Sequence, residues 1–336
     1  MNQGKLRIDE LLQNVPAGAL TVISDSTSGH GHLLMTDQFQ AKTEGKGRME
    51  LYSVFTGLDA SYDTFGASEV VFHHMGSASI LELFYCHSGR VGWNMRGGTA
   101  VYLGAGDMSV HSATCCSDSA MMLPLGYAEG ISISIDMSCF SEHCPEILRE
   151  AGLDLRKIMT ALCAEKPLTI SSCPELDGIF TPLYSVSPVR RKPYLQLKVQ
   201  ELLLYLMDFQ PSQVASTQYF SQQTELIKKI HDQLTGHLDQ RFTIEELSKQ
   251  YLINTSTLKE VFKAVYGLPI ATYMKDYRIR EAMKLLRETD ATIAEIACKV
   301  GYGTQGKFSK AFTDVTQMRP TEYRKFHNHK SGPPGL

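Results

Sequence analysis

The sequence predicts an α+β chain in which a strand-rich N-terminal domain precedes an all-helical C-terminal domain. Its 336 residues exceed what one hydrophobic core usually holds. Short apolar runs separated by glycines fill residues 51–135, whereas helical periodicity dominates after residue 138. A polar, proline-containing stretch at 210–220 lies between the two parts, and we interpret it as an interdomain linker.

Composition and charge narrow the class of protein. Hydrophobic residues make up 43% of the chain, so we expect folded domains rather than disorder. We see no signal sequence, and no apolar run reaches the roughly 18 residues of a membrane helix. The eight cysteines form no C-x-x-C pair. These features favour the reducing cytoplasm as the location of the protein. Residues 221–330 contain 18 Lys and Arg against 13 Asp and Glu, whereas the rest is acidic, as a nucleic-acid-binding part would require.

The N-terminal apolar runs have the length and spacing of strands. The last of them, Ile131–Ile135, alternates strictly, and glycines separate the runs at hairpin-like intervals, which predicts a small β-barrel with helices. Residues 194–208 are instead helical, with one apolar stripe. This stripe either packs against the barrel or forms a dimer seam; its members are Leu195, Val199, Leu202, Leu203 and Leu206.

An internal repeat organises the C-terminal part. The segment Thr243–Leu247 returns 49 residues later as Thr292–Ile296, and in each copy a threonine precedes a glutamate by three residues. This spacing predicts a capping box, in which the two side chains satisfy free backbone N–H groups of a first helical turn. A short turn follows each copy, and Asn254 and Thr304 are the predicted caps of the next helix.

The second helix of each copy is amphipathic, with matching apolar positions. Leu258, Val261 and Phe262 correspond to Phe308, Ala311 and Phe312 at a spacing of 50. Two helices joined by a tight turn, the second with one polar face, form the helix-turn-helix plan, whose polar face enters the major groove of double-stranded DNA. We therefore predict a tandem helix-turn-helix domain over 221–329, followed by a tail at 330–336.

The chain from about Thr224 to Phe326 resembles the DNA-binding domain of the AraC/XylS family of transcription regulators. The resemblance implies that the helix Tyr273–Leu286 joins the two units and holds them roughly 34 Å apart, one DNA turn. It also implies a transcription activator that contacts RNA polymerase. The motifs that carry it are Thr243–Leu247, Leu258–Lys263 with Gly267, Arg278–Ala282, Ile293–Ala297, Val300–Tyr302, Phe308–Phe312 and Pro320–Arg324.

Four positions depart from the family pattern. Gln317 replaces the usual glycine and Arg319 a small polar residue, so we expect an altered turn before the last helix. Glu260 replaces a basic residue in the first recognition helix and should repel phosphate. Gly306 stands where a base-reading side chain is usual, and glycine has no side chain that could read a base.

The outward positions of the two recognition helices are the candidate DNA contacts. Hydroxyls accept or donate to several base edges, glutamine pairs with adenine, and lysine meets guanine or phosphate. The alternative is that the same residues form only a solvated face. For Arg278, on the joining helix, we favour a structural ion pair over DNA contact. The predicted DNA-binding residues are Thr255, Ser256, Thr257, Lys259, Gln305, Gly306, Lys307, Ser309 and Lys310.

The N-terminal part resembles the branch of this family that includes regulators of siderophore uptake. The segments that carry this resemblance are Glu82–Arg90, Leu103–Asp107 and Leu123–Gly130. It implies that residues 1–209 form a cupin-like β-barrel that senses a small molecule, for example an iron chelate, and pairs subunits into a homodimer. The candidate effector-binding residues are Glu82, Tyr85, His87, Arg90 and Trp93.

The competing class is a metal-dependent cupin-type enzyme fused to a DNA-binding domain. Such a site needs two or three histidines and a carboxylate around one metal. His30 and His32 have a suitable spacing, but no glutamate follows at three or four residues. Directly after Pro124–Gly126, where a histidine would be expected, the chain has residues 127–129, Tyr-Ala-Glu. We therefore predict no catalytic residue, no metal site and no cofactor.

Overall fold

The chain forms two compact units, Met1–Ser221 and Gln222–Leu336. The computed structural model describes residues 2–25, 40–73, 77–95, 98–115, 119–163, 167–210 and 219–328. Most of the predicted linker, residues 211–218, and the predicted tail, 330–336, lie outside these ranges, as do His30 and His32. The last two linker residues, Tyr219 and Phe220, form a short strand.

The first unit contains most of its strands where the sequence predicts them. The described strands are β1 (Ala19–Ser24), β2 (Gln40–Lys42), β3 (Lys46–Phe55), β4 (Leu58–Gly66), β5 (Glu69–His73), β6 (Ile80–Gly89), β7 (Val91–Met95), β8 (Thr99–Leu103), β9 (Met108–Ser112), β10 (Ser119–Met122), β11 (Ala128–Asp136), β12 (Leu168–Ile170) and β13 (Tyr219–Phe220).

These strands form two sheets that do not close into a barrel. The seven-stranded sheet has the order β1-β3-β4-β11-β6-β9-β12, and the six-stranded sheet has the order β13-β8-β7-β10-β5-β2. Strands β1 and β3 are parallel, and the other pairs are antiparallel. The α+β class is therefore confirmed, whereas the predicted barrel is corrected to two open sheets.

Both faces of the seven-stranded sheet are covered by other parts of the first unit. Along β4, eight successive residues are buried, as expected for a strand with no solvent face. Leu58, Ala60 and Tyr62 belong to a core shared with the helices, whereas Phe65 belongs to a second core shared with the six-stranded sheet. The unit is thus built in three layers, with the large sheet in the middle.

The helices of the first unit complete the layer on one side of the large sheet. The apolar stripe of the longest helix is almost entirely buried within the unit, so it packs on the chain's own sheet core. The helices are α1 (Asn2–Leu11), α2 (Met137–Glu142), α3 (Glu146–Glu150), α4 (Leu155–Cys163), α5 (Pro174–Phe180) and α6 (Arg191–Asp208), with 3-10 helices at Thr181–Ser185 and Pro188–Arg190.

In the second unit the described elements, up to residue 328, are all helices, and they contain the predicted repeat. Both capping boxes are present, formed by Thr243 with Glu246 and by Thr292 with Glu295. No helix among the described residues is both long enough and apolar enough to cross a membrane. The helices are α7 (Ser221–Gly236), α8 (Ile244–Gln250), α9 (Thr255–Tyr266), α10 (Ile270–Glu288), α11 (Ile293–Lys299), α12 (Gln305–Thr316) and α13 (Pro320–Asn328).

The two helix-turn-helix units use the same left-handed turn with different residues. After α8 the turn contains Leu252 at φ 52°, and after α11 it contains Gly301 at φ 79°. Leu252 is 93% exposed, so its side chain gains almost no burial for the strained backbone. At Gly301 the carbonyl oxygen of Leu238 occupies the place of a Cβ, so only glycine fits there.

At the ends of α9 and α12 the order is reversed: the glycine lies in the first unit and the larger residue in the second. Gly267 ends α9 at φ 82°, and Gln317 ends α12 at φ 60°. The predicted change of this turn is therefore wrong, because Gln317 adopts the same left-handed cap that glycine provides. Its side-chain Nε2 donates to the carbonyl oxygen of Asp314 at 3.1 Å, which satisfies one of the free carbonyls of the last helical turn.

We expect substitutions in the two turns to act in opposite directions. Leu252→Gly should raise the free energy of unfolding by up to about 1 kcal/mol because it removes backbone strain without removing a buried side chain. Gly301→Ala should lower it by more than about 2 kcal/mol because the new methyl group meets the Leu238 carbonyl. Urea unfolding of the full chain, monitored by circular dichroism, measures both. Equal effects of the two changes would contradict this account.

Candidate nucleic-acid interface

The two recognition helices, α9 and α12, begin at the side-chain caps that the sequence predicts. The Asn254 side chain accepts a hydrogen bond from the backbone N–H of Ser256 at 2.8 Å. The Thr304 hydroxyl accepts one from the backbone N–H of Lys307 at 3.3 Å. Each cap fixes the start of its helix, and the candidate DNA-binding residues follow within the first two turns.

The inner faces of the two helices match as the repeat predicts. Leu258, Val261 and Phe262 are buried on α9, and Phe308 and Phe312 are buried on α12. Their burial leaves the opposite arcs of both helices at the surface. The outward arcs are therefore set by core packing, although core packing alone does not show what they contact.

All nine candidate DNA-binding residues lie on α9 and α12, in two groups. Those that are exposed are Ser256, Lys259, Gln305, Gly306, Lys307 and Lys310, and those that are half-buried are Thr255, Thr257 and Ser309. The structure thus gives each helix a polar surface of the predicted composition. DNA contact by any one of these residues remains a prediction.

A groove runs along one side of α12. It has a volume of about 460 Å³, and Gln305, Ser309 and Lys310 of the candidate set line it. The start of α11 and the start of α13 form its other walls. The further lining residues are Ile293, Thr313, Asp314, Arg319, Pro320 and Thr321.

Among the groove residues that the sequence does not predict as DNA contacts, three have a side-chain hydrogen-bond donor: Thr313, Arg319 and Thr321. Thr313 follows Ser309 by four residues, and this helical spacing places both on one side of α12. Arg319 and Thr321 belong to the start of another helix, so only tertiary packing brings them to the groove. Arg319 departs from the family pattern, and this departure is the sequence signal that could have identified it.

Arg278 contacts other parts of the helical unit through its guanidinium group. One of its guanidinium nitrogens donates to the backbone carbonyl of Gln240 at 2.8 Å, rather than to a carboxylate in an ion pair. Burial lowers the pKa of Arg278, and the nearby charge of Arg241 lowers it further. Its Nε lies 3.2 Å from the position of a Cβ on Gly301, so Arg278 packs against the second turn. These contacts agree with a structural role for Arg278, although its partner is a backbone carbonyl and not a carboxylate.

The five candidate effector-binding residues lie on different faces of the first unit. Glu82 and Trp93 lie between the two sheets, where Glu82 contacts His111 at 3.3 Å. Tyr85 and His87 lie on the helix-covered face of the large sheet. Arg90 stands between β6 and β7. The structure therefore does not bring the five together into one site.

The space between the sheets contains buried polar side chains outside the predicted effector set. The Asp63 carboxylate accepts hydrogen bonds from the hydroxyls of Ser61 and Ser132. Burial raises the pKa of Asp63 to about 6 despite these two bonds. The Ser109 hydroxyl on β9 is buried without a hydrogen-bond partner among the described residues. Strand alternation places these groups on the same sheet face as Glu82.

On the helix-covered face, aromatic rings surround the other two candidates. The His87 ring stacks on Tyr184 at 3.6 Å between centroids, and Tyr85 stacks on Phe180 at 4.1 Å. Burial lowers the pKa of His87 to about 4, and the charge of Arg7 acts in the same direction. Within the described residues, no group of three or more His, Cys, Asp or Glu has the arrangement of a metal site.

The helical unit has the architecture of a tandem helix-turn-helix DNA-binding domain, and the comparisons agree. The family described as "Helix-turn-helix domain" matches residues 247–325. A "Putative AraC-like transcription regulator" from Streptomyces lividans is 40% identical over 84 residues, which cover 25% of this chain and 28% of the relative. Residues 247–325 thus match a helix-turn-helix domain, and this part of the chain is similar to AraC-like transcription regulators.

Two further similar proteins match different shares of this chain. The "HTH-type transcriptional activator RhaR" of Mannheimia succiniciproducens is 30% identical over 98 residues, covering 29% of this chain and 36% of the relative. The crystal structure of ToxT from Vibrio cholerae O395 matches over 80% of this chain and 97% of that chain, at 12% identity and a TM-score of 0.31. The chain spans about a third of the length of the Streptomyces and Mannheimia relatives.

We expect His87 to make the stability of the first unit depend on pH. Its folded pKa of about 4 lies below the ordinary value of 6.5, so below pH 6.5 the unfolded state binds a proton that the folded state excludes. The free energy of unfolding should therefore fall between pH 6.5 and pH 4, and His87→Gln should flatten this segment. Urea titrations at several pH values measure the free energy of unfolding. If its slope against pH were the same in the variant as in the wild type, the attribution of this pH dependence to His87 would be refuted.

Proposed function

We propose that the protein is a sequence-specific DNA-binding transcription regulator that inserts α9 and α12 into successive major-groove segments of one duplex. The observation that carries the proposal is the repeat of two capped helix-turn-helix units with matching cores and outward polar arcs. The matched AraC-type regulators support the same function. They also favour a regulator over the fused metal enzyme.

The two recognition helices differ in charge over their first two turns, although each helix contains two lysines and one acidic residue in total. In the first, Lys259 is followed by Glu260, so the two charges oppose each other at the surface. In the second, Lys307 and Lys310 are both exposed, with Gln305 at the start of the helix. Because phosphate attraction supplies much of the affinity for DNA, the second unit should contribute more binding free energy.

We propose that the first unit senses a small molecule and pairs subunits into a homodimer that activates transcription through RNA polymerase in the cytoplasm. The resemblance of residues 82–90 to siderophore-uptake regulators supports an iron chelate as the effector. Among the five candidates, the pair Glu82 and Trp93 has the better surroundings, since buried polar groups line the same inter-sheet face. The carboxylates Asp59, Asp63 and Glu82 favour a neutral or cationic ligand over an anionic chelate.

Replacing Lys307 by alanine tests the DNA-binding function. The DNA probe is a duplex that the full-length protein selects from a random-sequence pool. If Lys307 contacts a phosphate, the affinity should fall uniformly across sequences, and the slope of log K against log salt should decrease by about 0.9. If Lys307 contacts a base, the loss of binding free energy should be about 1 to 3 kcal/mol at one base pair. Lys229→Ala, on the exposed side of α7, removes the same charge as a control. Failure of the full-length protein to select any sequence would refute the proposed function.

Replacing Glu82 by glutamine tests the effector site. Ferric hydroxamate and ferric catecholate complexes serve as probes, with binding to the full-length protein measured by quenching of Trp93, which is the chain's single tryptophan. A neutral or cationic complex that binds the wild type should bind Glu82→Gln at least several-fold more weakly, because a half-buried carboxylate partner is lost. His87→Gln, on the opposite sheet face, should leave binding unchanged. The reverse ranking of the two variants would move the site to the helix-covered face.

A further inference from the structure

The groove beside α12 also carries a more specific inference, which rests on the proposed DNA-binding function. We propose that this groove holds one phosphate of the DNA backbone and that Arg319 is its principal cation, assisted by Lys310. The site belongs to the second helix-turn-helix unit alone. Arg319 would thereby fix the position of α12 in the major groove without reading a base.

The position of the groove is suitable for a phosphate of the bound duplex. Its wall on α12 includes Gln305 and Ser309, which are candidates for base contact, so the groove is continuous with the surface proposed to face DNA. A helix inserted in the major groove is flanked by the sugar-phosphate backbone of both strands. The backbone therefore has to pass close to groups that border the recognition helix, and Arg319 is one of them.

The charges around the groove leave two cations available. Asp314 lines the groove, but the Lys275 ammonium lies 3.8 Å from its carboxylate and offsets its charge. The Glu322 carboxylate accepts the backbone N–H of Arg319 at 3.0 Å and so completes the cap of α13. Among the described residues, neither the Arg319 guanidinium nor the Lys310 ammonium makes a hydrogen bond or ion pair, and both residues are exposed.

Hydrogen-bond donors complete the lining. The hydroxyls of Ser309, Thr313 and Thr321 border the groove, and a hydroxyl donates readily to a phosphate oxygen. Arginine is suited to the same ligand because its planar guanidinium forms two parallel hydrogen bonds to phosphate. The combination of a guanidinium, an ammonium and three hydroxyls is the chemistry of a phosphate site.

The first helix-turn-helix unit provides an internal comparison. At the repeat spacing of 50, Glu260 corresponds to Lys310, Pro269 to Arg319 and Ala271 to Thr321. Glu260 is acidic, and Pro269 and Ala271 have no side-chain donor, whereas Lys259 and Lys263 of the first unit correspond to the hydroxyl residues Ser309 and Thr313. Cations at the positions of Arg319 and Lys310 are therefore particular to the second unit, whereas the first unit has its cations at other positions of the repeat.

Binding of full-length variants to the duplex selected from a random pool tests the proposal. Arg319→Gln should lower affinity on the order of tenfold, as expected for a charge-assisted hydrogen bond. It should also reduce the slope of log K against log salt by about 0.9, the value for one phosphate. Arg319→Lys should recover most of the slope because it restores the charge. Lys284→Gln removes one positive charge from an exposed position of α10, opposite the buried Ala282, and should change neither quantity.

Neutral methylphosphonates, placed one at a time in the same duplex, locate the contact. The wild type should lose affinity at one phosphate position where Arg319→Gln loses none, because that variant has already lost the interaction. Circular dichroism verifies that the variant is folded. If Arg319→Gln matches Lys284→Gln in affinity and slope, or loses affinity without a change in slope, the phosphate site is refuted. Those outcomes leave the proposed function intact, since it depends on sequence selection by the wild type.

Discussion

The close contact between Gly301 and the Leu238 carbonyl is the constraint on which the helical unit depends. It places the turn of the second helix-turn-helix unit directly against the loop that precedes the first. Arg278 strengthens the same junction, because it donates to the Gln240 carbonyl and packs beside Gly301. Two recognition helices can occupy successive grooves only if their separation is fixed, and this junction fixes it together with the continuous helix α10.

The repeat preserves its geometry while changing the residues that provide it. Left-handed positions occur at Leu252 and Gly301 and again at Gly267 and Gln317, so each unit has one glycine and one larger residue. Gln317 offsets part of its strain by hydrogen bonding to Asp314, whereas Leu252 has no such compensation in its 93% exposed side chain. Matching backbones in the two units therefore do not imply matching stability or matching surface chemistry.

The sequence predicted the features that depend on local interactions. Capping boxes, helix caps and apolar faces are determined within a few residues, so Thr243, Thr292, Asn254 and Thr304 were identified correctly. The open sheets were not predicted, because closure depends on which faces distant elements cover. The candidate effector set mixed both faces of β6, although the even and odd numbering of Glu82 and Tyr85 already separated them by strand alternation. Arg319 was not identified as a groove residue, because it reaches the groove from the start of a neighbouring helix.

The opposite charges at Glu260 and Lys310 have a consequence for the promoters that such a protein would control. A duplex read by two unequal helices presents two unequal half-sites, one bound with the help of backbone attraction and the other dependent on fit to the bases. Base changes beneath the second helix would cost less binding, because the phosphate contacts of that helix do not depend on sequence. Base changes beneath the first helix would act on a weaker interaction. Natural binding sites would then tolerate base substitutions more in one half than in the other. An alignment of such DNA sites would therefore show which half each helix contacts.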